Sequence, residues 1–134
     1  MRDFFRIAAP FYDEDYASLR GDADVSFYVD LAKESGGPVL EMGCGTGRIL
    51  LPTAREGIRI HGIDLSPDML ARLASKLDTE PAEVRDRVSY SRGDIRTASA
   101  GGKFALVTAP FGVAQLLLTR GDQRAWLRNV RRHL

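Results

Sequence analysis

Apolar positions along this chain change their spacing several times, and each change marks an element. Val25, Tyr28, Val29 and Ala32 recur at i, i+3, i+4 and i+7, which predicts a helix over 23–35 ended by Gly36-Gly37. A continuous apolar run predicts a first strand over 38–43. A helix over 47–56 follows and stops at Gly57, with Pro52 early in it, where a missing N–H costs least. Ile58 to Asp64 read as a second strand. Ser66 suits an N-cap, Pro67 the first helical position and Asp68 the positive helix end. That helix carries Met69, Leu70, Leu73 and Leu77 on one face. Strands three and four are expected over 87–92 and 103–109. A last helix fits 121–133, with Trp126, Leu127, Val130 and Leu134 inward and Arg120, Arg124, Arg128 and Arg132 as the opposite stripe. Residues 1–20 are aromatic and acidic (Phe4, Phe5, Phe11, Tyr12, Tyr16) and read as a partly helical lid or N-terminal extension.

Strands alternating with helices argue an α/β fold: a Rossmann-like parallel sheet with helices on both faces and right-handed crossovers. In such sheets a ligand sits at the carboxyl ends of the strands, where the winding direction reverses. The 134 residues read as one domain, 1–37 forming a lid and helix and 38–134 a core. Nineteen basic residues against 18 acidic ones leave a net charge of +1, which gives no electrostatic case for nucleic acid or an anionic membrane. No apolar run reaches 18 residues, so neither membrane spanning nor a secretory leader is indicated. The single cysteine, Cys44, excludes an internal disulfide and fits a reducing cytoplasm.

The chemistry concentrates in Val39-Leu40-Glu41-Met42-Gly43-Cys44-Gly45-Thr46-Gly47-Arg48, where an apolar strand runs into three glycines at alternate positions. One glycine allows a sharp turn. One removes a Cβ so that a ligand can touch the main chain. One lets the next helix pack close to the strand. Free N–H groups at a helix start then face something negative. This is a nucleotide-type cofactor loop. Asp64 ends strand two, 17 residues after Gly47, where a carboxylate can accept both hydroxyls of a ribose. A dinucleotide fingerprint wants Gly-x-Gly-x-x-Gly. Here the spacing is Gly43-x-Gly45-x-Gly47, with Glu41 just upstream.

That pattern resembles the first motif of the class I S-adenosylmethionine-dependent methyltransferases. The resemblance continues at Gly62-Ile63-Asp64-Leu65-Ser66-Pro67-Asp68-Met69-Leu70, at Gly93-Asp94-Ile95, and from Phe104 to Phe111, in the family's order. Phe11-Tyr12-Asp13 also looks like the start of these enzymes, in the small-molecule branch similar to methyltransferase domain 25. The resemblance implies S-adenosylmethionine as cofactor, with S-adenosylhomocysteine as its product. It implies that Gly43, Cys44, Gly45 and Gly47 form the loop around the methionine part, with Glu41 holding its amino end. Asp64 would bind the ribose, and Leu65 and Met69 would flank the adenine. Asp94 would accept from the adenine amino group while the Ile95 N–H reaches a ring nitrogen. Ala109 and Phe111 would border the sulfonium, and Tyr12 or Tyr16 could close over it.

The family has seven strands, and four are counted here. The resemblance therefore implies a domain incomplete at its C-terminus, with strands one and four side by side and an apolar strand-four edge open to self-association. The expected function is methyl transfer to a small-molecule acceptor. Two alternatives stand beside it: a non-catalytic cofactor-binding or interaction module, and a nicotinamide-dependent oxidoreductase. No general base and no metal ligands stand out. Cys44 reads as a small loop residue, His61 and His133 as structural, and the arginine stripe as a solvated face.

Overall fold

The computed structural model describes residues 23–110, 117 and 119–134. Tyr12, Tyr16 and Phe111 lie outside the described residues. Among the described residues nine elements follow in order. They are α1 (Ala23–Ser35), β1 (Val39–Met42), α2 (Leu50–Arg55), β2 (Ile60–Asp64), α3 (Pro67–Asp78), α4 (Ala82–Arg85), β3 (Val88–Arg92), β4 (Leu106–Thr108) and α5 (Arg120–His133). The four strands form one parallel sheet in the order β3-β2-β1-β4. Val39 stands beside Ile60 on one side and Leu106 on the other, so β1 and β4 are neighbours.

Alternation along the strands divides the core in two. Val39 and Ile60 face a layer built from Ala32, Leu50, Leu51, Ala54, Leu70, Leu73 and Val84. Leu40, Met42 and Ile63 face the other side, where Phe104, Val107, Trp126 and Val130 cover them. Every residue of β1 is buried. A strand covered on both faces must read as an unbroken apolar run, and this one does except at Glu41.

Helix boundaries follow local chemistry. Gly36 at φ 75° ends α1, its N–H returning to the Ala32 and Lys33 carbonyls. Ser66 Oγ accepts from the Met69 N–H and caps α3, with Pro67 in the first turn. The helix expected over 47–56 is shorter, Leu50–Arg55, because Gly47 sits at φ 86°, outside helical space. Strand four is also trimmed. The Phe104 N–H turns to the His133 carbonyl and the Ala105 N–H to the Pro38 carbonyl, so the ladder begins at Leu106. The short helix α4 had no counterpart in the sequence reading.

Helix α5 corrects the expected inward stripe. Leu127 and Leu134 are exposed, whereas Asn129 and His133 are buried. The inward face runs Trp126, Asn129, Val130, His133, which is a regular 3–4–7 spacing once polar residues are admitted to it. The arginines at 120, 124, 128 and 132 are exposed.

Candidate functional site

The loop from Gly43 to Gly47 hangs at the carboxyl end of β1. Its N-terminal side is stitched to β2: the N–H groups of Gly43 and Cys44 both donate to the Ile63 carbonyl, at 2.7 and 3.1 Å. The Gly47 N–H donates to the Cys44 carbonyl and closes the turn. Gly47 is required twice over. Its φ of 86° is disfavoured for any other residue, and a Cβ there would stand 2.5 Å from Leu73 Cδ1. That contact is the close approach of the loop to α3. Gly62 serves the same loop from β2, since a Cβ would lie 2.6 Å from Cys44 Sγ. Cys44 therefore points into the core rather than toward a ligand. Burial, with the Glu41 and Asp64 carboxyls nearby, pushes its thiol far up, which suits packing and not nucleophilic work.

Two carboxyl groups meet beneath this loop. Asp64 Oδ2 accepts from the Gly45 N–H at 2.8 Å and Oδ1 from the Ser66 N–H at 2.9 Å. Asp64 thus faces the glycine loop, as the sequence spacing requires. Burial raises its pKa despite the N–H groups of Ser66, Gly45 and Leu65, which pull the other way. Glu41 lies one strand over, opposite Gly62 and Thr108 in the ladder. It is 2% exposed, and its Oε1 has no hydrogen-bond partner. Burial, then the Asp64 charge, lifts its carboxyl to about 8. A buried acceptor without a donor costs roughly 1–3 kcal/mol. That cost vanishes when a donor, best a cationic one, is set against it.

The family described as methyltransferase domain matches residues 39–134, most of the chain and the whole of this site. The chain belongs to the class I S-adenosylmethionine-dependent methyltransferases. The glycopeptide N-methyltransferase MtfA, solved with S-adenosylmethionine, is 32% identical with a TM-score of 0.74, over 83% of this chain and 50% of that one. Streptomyces venezuelae DesVI is 28% identical with a TM-score of 0.78, over 94% of this chain and 52% of that one. Among curated proteins, the magnesium-protoporphyrin O-methyltransferase of Rhodobacter capsulatus is 33% identical over 67 residues, 50% of this chain and 29% of its own length. The cypemycin N-terminal methyltransferase of a Streptomyces species is 32% identical over 100 residues, 74% of this chain and 38% of its own. The chain thus spans about half the length of these solved relatives and about a third of these curated ones.

The remaining expected residues of this methyltransferase domain are disposed less simply. Leu65 is 49% exposed at the start of the β2–α3 turn. Met69 is buried, with its Cε set under Gly45. Ala109 follows β4 and packs on the second core layer with Ile95. Asp94 is already engaged. Its carboxylate takes the Arg96 N–H and guanidinium, which hold its pKa below the usual range. Arg96 also reaches Asp122 on α5.

Two polar residues of α5 position this part of the domain: Asn129, which the apolar spacing does not single out, and His133, which the sequence reads as structural. Asn129 Nδ2 donates to the carbonyls of Ile95 (2.8 Å) and Ala98 (2.9 Å), and its Oδ1 accepts from Arg132. His133 Nε2 accepts from the Ala100 N–H at 3.0 Å, which leaves the proton on Nδ1 to donate to the Asn129 carbonyl. Together they fasten the 95–100 segment, and so Asp94, to α5. The signal was present as a polar pair at i, i+4 within an apolar stripe. His61 is held between Ser89 and Ser91 on the same side of the sheet, which supports its structural reading.

Proposed function

We propose that this domain binds S-adenosylmethionine at the carboxyl ends of β1 and β2 and serves methyl transfer to a small-molecule acceptor. The observation that carries the reading is Glu41. Its buried Oε1 on β1 lacks a donor beside a loop otherwise stitched by hydrogen bonds, and a ligand ammonium fits that demand. In this reading Asp64 exchanges the Gly45 N–H for ribose hydroxyls, freeing that N–H for the ligand's carboxylate. Leu65 flanks the adenine, with Met69 supporting the loop beneath it. Asp94 and Ile95 receive the adenine edge, and Ala109 borders the methyl group. Tyr12 and Phe111 belong to the proposed site by the family resemblance. Bound S-adenosylmethionine supplies a methyl group already activated on a sulfonium. The chain's task is then alignment and exclusion of water, and positioning of that kind is worth about 7–11 kcal/mol.

Support for the ligand comes from MtfA, which is solved with S-adenosylmethionine and with S-adenosylhomocysteine. Support for a small acceptor comes from the tetrapyrrole and glycopeptide enzymes among the relatives. Isothermal calorimetry tests the reading. Saturable binding of S-adenosylhomocysteine without binding of NADH is expected, and the reverse would favour an oxidoreductase.

We also propose self-association through β4. Among the described residues β4 pairs with β1 alone, and Leu127 on α5 and Leu134 just after the helix stand exposed. Sedimentation velocity over a concentration series should show a dimer growing in. A single monomer species at the highest concentration would contradict it.

A further inference from the structure

We propose that Arg48 and Asp24 form a positioning strut that fixes the far side of the glycine loop to the first turn of α1. The inference rests on the reading above, in that the loop is taken as the cofactor site. The loop carries left-handed backbone at Gly43, Gly45 and Gly47, with φ of 78°, 55° and 86°. Glycine has the largest conformational freedom to lose, so such a loop keeps its shape only when fastened at both ends. The tethers from Ile63 and Asp64 all reach the loop from β2. On the opposite side Arg48, the residue directly after Gly47, extends to α1. Its Nη1 donates to Asp24 Oδ2 at 3.1 Å and its Nη2 to Asp24 Oδ1 at 3.3 Å.

This is a fork-to-fork pair, the geometry in which a guanidinium fixes direction as well as distance. The Arg48 side chain is 9% exposed, which sets the pair apart from a solvated surface bridge. Burial pushes the Asp24 carboxyl up, yet the Arg48 guanidinium and the Val25 N–H outweigh it and hold the pKa below the usual value. Asp24 also lies in the first helical turn, where a negative charge is favoured. Its anchor is firm, because α1 packs Val29 and Ala32 into the domain.

The strut matters most once ligand is present. Asp64 then turns from the Gly45 N–H to the sugar, and one tether from β2 is given up. The Arg48–Asp24 pair carries a larger share of the loop's order in that state. Its loss should therefore appear in ligand affinity and loop dynamics more than in global stability.

The experiment compares wild type, Arg48→Ala, Asp24→Asn and the charge-swapped double variant D24R/R48D. Backbone amide exchange of residues 43–47 is measured without ligand, and S-adenosylhomocysteine affinity by calorimetry. Each single variant should speed loop exchange about tenfold and weaken binding about tenfold, while β2 amides and the melting temperature stay near wild type. The swapped variant should recover most of both effects. Loop exchange unchanged in the single variants overturns the strut, as does a loss of protection that spreads equally over β2. Should wild type itself fail to bind, the methyltransferase reading falls, and loop exchange alone still decides the strut.

Discussion

Two regions of the domain treat their buried polar side chains in opposite ways. On the α5 side the buried polar side chains Asn129 and His133 are both answered from within the chain. Asn129 holds two carbonyls and His133 an amide. On the β1–β2 side Glu41 is as deeply buried as Asn129, yet its Oε1 is left without a donor. A closed network fixes one structure. An open one spends stability on a shape that only a ligand completes. The difference separates scaffold from site without reference to any relative.

The largest effect that can break this comparison is the pH dependence of stability. The Glu41 carboxyl is raised from 4.5 to about 8 in the folded protein, so the native state keeps a proton that the unfolded chain releases. Its contribution is fully present below about pH 4.5 and is lost as pH rises through 8. The loss reaches on the order of 4–5 kcal/mol across that window. Glu41→Gln, which cannot ionise, should flatten the profile measured by urea unfolding between pH 5 and 8.5. An unchanged slope would show that the site is not strained by this group.

A smaller effect is expected on the closed side. Asn129→Ala strands the Ile95 and Ala98 carbonyls in the interior and should cost about 2–4 kcal/mol in the same unfolding assay. Ligand binding at the glycine loop should persist at temperatures where the variant is folded. Smaller again is Asp64→Ala, which should weaken S-adenosylhomocysteine binding by about 1.5–3 kcal/mol in calorimetry. Binding unaffected by that change would move the ribose elsewhere.

The two sides also differ in how well the sequence announced them. The open side is encoded locally: a strand, alternate glycines and an acid at the tip of the next strand lie within one short stretch. Ser66 and Pro67 mark the following helix just as directly. The closed side is encoded across long separations. Arg96 meets Asp122 over 26 residues and Asn129 meets Ile95 over 34. An amphipathic reading of α5 sends its polar residues outward, so it overlooks Asn129 and places Leu127 and Leu134 inside, while His133 is legible as structural but not as part of the inward face. Nothing in the motif shows that Arg96 folds back on the Asp94 carboxylate from two residues later. The ends of α2 and β4 shifted for a related reason. One left-handed glycine and two backbone hydrogen bonds to other segments set those boundaries, not apolar spacing.

The claim that a cationic ligand completes the open side has a direct readout in protons. An ammonium placed against Glu41 stabilises the ionised carboxylate, so the proton held in the free protein must leave on binding. S-adenosylmethionine should be titrated into wild type at pH 6.5 in two buffers of different ionisation enthalpy, with 5′-methylthioadenosine, which lacks the amino acid portion, as the control. The account predicts close to one proton released per S-adenosylmethionine bound and none for the control. Equal proton counts for both ligands, or no binding of S-adenosylmethionine at all, would contradict it.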